Sequence, residues 1–355
     1  MSADSTAAGS EAASVPYGVS APPSSCQACG GADIGSDGYC ETCGTRRPAA
    51  AAHSEVDLGG IAGVSDIGSR HHHNEDAMGL AAGAGVTAGV VCDGVSASSR
   101  PDVAAMGAAA AATVAFAARL GRLAAVIPPA ASDGASEADA AGGTSDVART
   151  GQVVRTAAIA TLLEAGAAAQ AGAARAAGPE AVPNPPSTTF AAAVVTGTDI
   201  AVGWVGDSRV YWLPDPGTHG EPACLTVDDT LAGQLGAAGV VVAADSPNAG
   251  ALIRWLGTDA YDVEPHTATL APDGPGRVIV CSDGLYRYAA EPRQLAEVAP
   301  TGPPIEVASA LVRFALDAGG HDNVTVVVMP FPPDPDESAI VSAADANGVG
   351  ASDDP

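Results

Sequence analysis

The chain has 355 residues, enough for one large or two ordinary domains, and its 41 Asp and Glu against 15 basic residues leave a formal net charge of −26 at pH 7. So acidic a surface repels a phosphate backbone, which argues against nucleic acid as a partner, and it favours a soluble cytoplasmic protein. All 15 basic residues are arginine, only 4% of residues are aromatic and much of the 47% hydrophobic content is alanine, a coding bias rather than a mechanism.

Residues 1–25 are small, polar and Pro-containing, and read as disordered. Their opening, MSADSTAAGSEAASVPYG, has neither the basic nor the apolar region of a secretory leader, so none is expected. Cys26, Cys29, Cys40 and Cys43 follow as C-x2-C-x10-C-x2-C, with Gly30 and Gly44 after each pair. A C-x2-C turn sets both sulfurs on one side, and two such knuckles close a tetrahedral site. Two disulfides are the alternative, disfavoured without an oxidising compartment. Residues 26–44 are therefore expected to be a zinc ribbon around one structural Zn²⁺; four thiolates leave no open position for catalysis. Cys92, Cys224 and Cys281 lie in or beside strands and read as small buried hydrophobes.

Residues 45–57 read as a linker, 58–330 as the main domain and 331–355 as a disordered acidic tail with little to bury. Strands are expected at 60–64, 86–92, 189–196, 200–205, 210–213, 278–281 and 324–329, and helices at 102–124, 151–174 and 304–318. The stretch 103–120 is alanine-rich and ends on an arginine, a core helix rather than a membrane span. Loops are expected at 128–146 and 176–187. TGTDIAVGWVGDSRVYWLPD reads as three antiparallel strands joined by two hairpin turns. Antiparallel strands with paired long helices give an α+β layered class.

Two apolar runs, VVCDG and VIVCSDG, end on Asp93 and Asp283, each followed by glycine, and Asp76 and Asp322 sit in comparable settings. One Asp-Gly is an ordinary turn. Carboxylates crowded at strand ends repel one another unless a cation neutralises them, and oxygen ligands suit a hard divalent ion.

The ordered set SDIGSRHHHNEDAM, VVCDGVS, PSTTFAAAVV, VGDSRVYWL, LTVDDT, IRWLGT, VCSDGLY and GGHDNVTVVV resembles the PPM/PP2C family of metal-dependent serine/threonine phosphatases, over roughly 58–330. The resemblance implies a four-layer αββα sandwich of two antiparallel sheets flanked by helices, with two to three Mn²⁺ or Mg²⁺ at one end. On it, Asp93 bridges two metals, Asp76 and the Gly94 carbonyl serve one, Asp283 and Asp322 serve the other, Glu75 stands in the outer shell, and Asp207 of GDSR helps hold a third. A hydroxide bridging the metals would attack the phosphate of phosphoserine or phosphothreonine. It also implies phosphorylated partners that are targets of a serine/threonine kinase; the zinc ribbon, outside the resemblance, is read as a docking or regulatory module.

The first motif departs from the family: counting from Gly68, the phosphate-gripping arginine falls on His71, and Arg70 stands one place early. Either Arg70 reaches in or a histidine replaces it, though arginine is the better bidentate ligand. His71, His72 and His73 read as a loop rim; one of them could donate the leaving group's proton. Asp229 stands where histidine is common, and 231–248 matches a mobile flap beside the site. The competing readings are an inactive phosphoprotein-binding scaffold and a zinc adaptor with a passenger domain; the retained acids disfavour both.

Overall fold

The computed structural model describes residues 42, 52–127, 143–176, 178, 182–240, 242, 246, 248–334 and 340–344, with the side chains of the second helix described from 149 onward. Residues 1–25, the four clustered cysteines with the zinc ribbon read on them, and the end of the acidic tail lie outside the described residues.

In chain order the elements are β1 (His53–Asp57), β2 (Ala62–Asp66), β3 (Asp76–Gly83), β4 (Val86–Asp93), α1 (Pro101–Ala124), α2 (Gly143–Ala176), β5 (Ser187–Thr188), β6 (Phe190–Val195), β7 (Ile200–Val205), β8 (Arg209–Pro214) and β9 (Ala223–Cys224). Then come α3 (Leu231–Ala237), β10 (Leu256–Gly257), β11 (His266–Leu270), β12 (Gly276–Cys281), α4 (Asp283–Tyr286), α5 (Pro292–Val298), α6 (Pro304–Asp317), β13 (Val324–Phe331) and β14 (Val341–Ala344).

Two six-stranded sheets form, in the orders β1-β2-β13-β12-β8-β9 and β11-β7-β6-β4-β3-β14, with a small β10-β5 pair beside them. The strand pairings among the described residues are antiparallel. The alternation along single strands shows how the layers stack, because successive side chains leave opposite faces. On β12, Val278 and Val280 join the cluster between the sheets, while Ile279 and Cys281 join the one under α4, α5 and α6. On β6, Ala191, Ala193 and Val195 face the other sheet, and Phe190, Ala192 and Val194 face α1 and α2. Strands buried on both faces need continuous apolar runs, which is why these segments were visible in the sequence. The result is the expected α+β sandwich of four layers.

The alanine content has a structural use. Helices α1 and α2 pack so closely that a Cβ on Gly172 would stand 2.0 Å from the Gly107 carbonyl oxygen. Both helices are long and apolar enough by composition to cross a membrane. Here Ala104, Ala105, Ala108, Phe116 and Leu120 of α1 bury against the sheet and α2 instead.

Several expectations are corrected. β1 lies in the segment read as linker, where its polar alternation HSEVD suits a sheet edge with one wet face. β14 lies in the segment read as tail and pairs with β3, from Val341 opposite Ala82 to Ala344 opposite Gly79. α2 begins at Gly143, inside the predicted loop. The GDSR turn is no hairpin: β7 pairs with β6 and β11, whereas β8 pairs with β12 and β9, so the chain crosses between sheets there. The 67–75 loop crosses in the opposite direction, from β2 to β3, at the same end of the sandwich.

Candidate active site

Both crossings flank one cluster of acids. Asp76 opens β3 directly opposite Asp93, which closes β4. From the other sheet, β12 ends at Cys281, which pairs with Val326 of β13, so Asp283 just beyond β12 and Asp322 just before β13 emerge side by side. Asp207 sits in the crossing between β7 and β8. Strand ends of both sheets thus deliver five carboxylates to one region.

The glycine after each strand-terminal Asp serves close approach. A Cβ on Gly94 would lie 2.7 Å from the Glu75 carbonyl oxygen, and one on Gly284 would lie 2.0 Å from that of Asn323. The chain must therefore pass within backbone contact of its neighbour immediately after each aspartate.

A cavity of about 490 Å³ opens at this end, and Asp93, Gly94, Asp207, Asp283 and Asp322 line it, with Ser96, Leu252 and Trp255 on its flanks. Asp76 and Glu75 are not in the lining. Asp76, 1% exposed, accepts a hydrogen bond from Ser282 Oγ at 2.7 Å. Glu75 accepts one from Ser96 Oγ at 2.8 Å, and its backbone N–H donates to Asn323 Oδ1. The Asp93 N–H donates to Thr189 Oγ1 at 2.9 Å, fixing the end of β4.

The electrostatics record the crowding. Burial, helped by the charges of Asp283 and Asp322 and opposed by the Ser282 hydroxyl, raises Asp76 to about 7. Asp93 is pushed well above the ordinary carboxylate range, first by burial and then by Asp76, Asp283, Asp207 and Asp322. Burial followed by Asp283 and Asp228 raises Asp207 to about 7. Asp283 rises through burial and Asp322, with Arg287 pulling the other way. Carboxylates disfavoured in this way call for positive charge.

The donor set fits a hard divalent cation: the cavity acids are all oxygen ligands, and burial together with mutual repulsion leaves them short of positive charge. Among the described residues, however, no three His, Cys, Asp or Glu side chains are gathered into a ready ligand shell. The acids ring a cavity and would have to draw in around an ion.

The sequence left the phosphate contact open between Arg70 and His71. Neither lines the cavity. Arg70 is exposed and makes no contact with the acids, while His71 Nε2 lies 3.0 Å from Asp322 Oδ1. His72 and His73 are exposed, consistent with a loop rim.

Two residues that matter here escaped sequence reasoning. Arg287 Nη2 donates to Asp283 Oδ2 at 2.9 Å and Asp322 Oδ2 at 3.3 Å; the available signal was an arginine four residues after an acid at a helix start. Buried Asp229 accepts from the Gly206 N–H at 3.0 Å and Arg254 Nη1 at 3.2 Å, and lies 3.1 Å from His266 Nε2. It ties the GDSR crossing to the segment after α3, and no local pattern announced that.

A two-sheet sandwich with acids converging from both sheets defines a protein built to present carboxylates at one end, the donor set of a hard divalent cation site. The model of the protein phosphatase 2C family matches residues 67–309, and the chain belongs to that family. The chain is 34% identical over 149 residues to the serine/threonine protein phosphatase PstP of Mycobacterium tuberculosis, covering 40% of this chain and 27% of that protein. It is 29% identical over 146 residues to the serine/threonine phosphatase of Listeria monocytogenes, covering 40% of this chain and 56% of the other. It thus spans about a quarter to about half the length of these curated relatives. Among solved structures, a serine/threonine phosphatase of Staphylococcus aureus superposes with a TM-score of 0.52 at 18% identity, over 77% of this chain and 94% of that one. A bacterial serine phosphatase gives 0.52 at 20%, over 77% and 98%. These two share the fold.

Proposed function

We propose that the chain is a metal-dependent phosphatase that hydrolyses phosphoserine and phosphothreonine in proteins. The observation that carries this reading is that Asp93, Asp207, Asp283 and Asp322 line one cavity, where burial and mutual repulsion disfavour their negative charge. Family membership supports it, and the relatives' names supply the substrate class.

In this reading Asp93, Asp76 and the Gly94 carbonyl, together with Asp283 and Asp322, would hold two Mn²⁺ or Mg²⁺ ions, Asp93 being shared between them. Asp207 helps hold a third, and Glu75 acts from behind through Ser96. Such ions supply a water acidic enough to attack at neutral pH and neutralise charge on the phosphoryl oxygens. The chain's own residues orient the parts. Ser282 and Asn74 fix Asp76 through its carboxylate and its N–H. Asn323 holds the 67–75 loop by donating from Nδ2 to the Ile67 and His73 carbonyls. His71, whose Nε2 lies 3.0 Å from Asp322 though outside the cavity lining, would be the histidine to hand a proton to the leaving alkoxide.

Further parts of the reading are a cytoplasmic location, substrates marked by a serine/threonine kinase, a Zn²⁺ held by Cys26, Cys29, Cys40 and Cys43, and a ribbon that docks a protein partner. Arg70 standing clear of the acids favours one rival, an inactive phosphoprotein-binding module. Hydrolysis of a phosphothreonine peptide with Mn²⁺ or with EDTA separates the two. Wild type should need Mn²⁺, and Asp283→Asn should lose at least about 100-fold in kcat/KM, as for removal of a group that stabilises transition-state charge. A folded wild type inert with every divalent ion would support the binding module.

A further inference from the structure

We propose that Arg287 is the phosphate clamp of this site, and that it competes with the divalent cation for the carboxylate oxygens of Asp283 and Asp322. The proposal rests on the phosphatase reading above.

Arg287 caps α4, one helical turn after Asp283, and its N–H donates to the Asp283 carbonyl at 2.9 Å. That bond fixes the root of the side chain beside the cluster. Its Nη2 reaches both Asp283 and Asp322, yet the side chain is 46% exposed. A guanidinium has five donors in a planar fork, and here a single nitrogen serves both carboxylates. The rest of the fork makes no hydrogen bond to a described residue. It is the geometry that suits two oxygens of a phosphoryl group.

The other arginines described near the cluster are more fully committed: Arg209 makes three side-chain hydrogen bonds and Arg254 four. Arg209 is committed to Asp228 through Nε and Nη2, both at 2.8 Å, and stacks 3.8 Å from the Tyr286 ring centre. Arg254 is spent on Asp229 and the Asp262 and Glu264 carbonyls. Arg70, the place where the sequence pointed, touches none of the acids.

The second half follows from shared atoms. A cation ligated by Asp283 and Asp322 and the Arg287 fork call on the same carboxylates, so binding of one loosens the other. Arg287 is not itself in the cavity lining, but a fork released by the ion would remain tethered one turn from Asp283, which is, and so could turn toward a phosphoryl group bound there. The same side chain would therefore lower cation affinity and raise phosphate affinity.

The test uses the full chain as wild type, Arg287→Ala and Arg287→Lys, with Arg293→Ala as a control because Arg293 pairs only with Glu221 at the surface. Calorimetry first titrates Mn²⁺ alone, then inorganic phosphate into the Mn²⁺-loaded protein; KM and kcat on a phosphothreonine peptide follow. Arg287→Ala should bind Mn²⁺ about 3-fold tighter, since a half-exposed ion pair is lost. It should bind phosphate about 10-fold weaker, with KM rising more than kcat falls. Arg287→Lys should keep the Mn²⁺ affinity of wild type and recover only part of the phosphate affinity, because an ammonium cannot bond bidentately.

Weaker Mn²⁺ binding in Arg287→Ala would make the residue a prop for the carboxylates and overturn the proposal. So would unchanged phosphate affinity, or a loss that follows Arg70→Ala instead. If Mn²⁺-loaded wild type binds phosphate through Arg287 but cleaves no phosphopeptide, the phosphatase reading falls and the clamp stands. If it cleaves phosphopeptide while phosphate binding ignores Arg287, the clamp falls and the reading stands.

Discussion

Replacing the Asp93 carboxylate by an amide removes a charge that burial and four neighbouring acids already oppose. The size and position of the side chain are kept, so repulsion falls without opening a cavity. For EDTA-treated protein, Asp93→Asn should therefore raise Tm by about 2–4 °C, the shift that about 1 kcal/mol gives a domain of this size. The same change should abolish the further rise that Mn²⁺ produces in wild type. A variant that melts lower in EDTA would mean that Asp93 serves packing and not cation binding. Stability and function are opposed at this residue, the usual sign of a site. Asp93 and Asp283 were legible from sequence because apolar strands that stop on Asp-Gly are conspicuous, whereas Asp207 came only through the family resemblance. The Arg287 contact was not legible, because it joins elements far apart in the sequence. Counting residues from Gly68 cannot show that Arg287, 217 positions after Arg70, reaches Asp322.

At the scale of elements, the contact between α1 and α2 is a sharp backbone-to-backbone packing constraint away from the site. Alanine is a better helix former than glycine by about 1 kcal/mol, so Gly172→Ala would stabilise an isolated helix. In this fold the new methyl would stand 2.0 Å from the Gly107 carbonyl oxygen, a backbone atom that cannot swing aside. Overpacking of this kind costs about 1–3 kcal/mol, and the clash should win. Gly172→Ala is expected to lower Tm by several degrees with kcat little changed, measured by calorimetry and the phosphopeptide assay. A higher Tm would show that the helices part without cost. The elements that sequence reasoning found are those with period and length in their favour: α1, α6 and the doubly buried strands. It passed over β3, DAMGLAAG, whose small residues have weak strand preference and which is held by β4 on one side and β14 on the other. It passed over β11, HTATL, which lies at a sheet edge and is only partly covered. It misread the GDSR turn because a tight turn between two strands looks the same whether they pair or belong to different sheets.

For the whole molecule, the pH dependence of stability should have a sign set by the site. Asp76 and Asp207 rise in the folded state to about 7 from about 3.8. Between those values the folded chain holds protons that the unfolded chain has released, so stability falls as pH climbs through that window. His53, raised by its hydrogen bond to Asp66, acts in the same direction: its stabilising charge is present in acid and lost as pH passes its folded value. The formal charge of −26 adds general repulsion of the same sign as the remaining acids ionise. EDTA-treated protein should thus melt higher at pH 5 than at pH 8, the reverse of a protein whose carboxylates are salt-bridged. Saturating Mn²⁺ needs those acids ionised, so its stabilisation should grow with pH and flatten or invert the trend. Calorimetry at pH 5, 6.5 and 8 with EDTA or Mn²⁺ reads both slopes. A Tm in EDTA that rises toward pH 8 would mean that the acids are neutralised from within the chain, leaving no electrostatic demand for a cation at the strand ends.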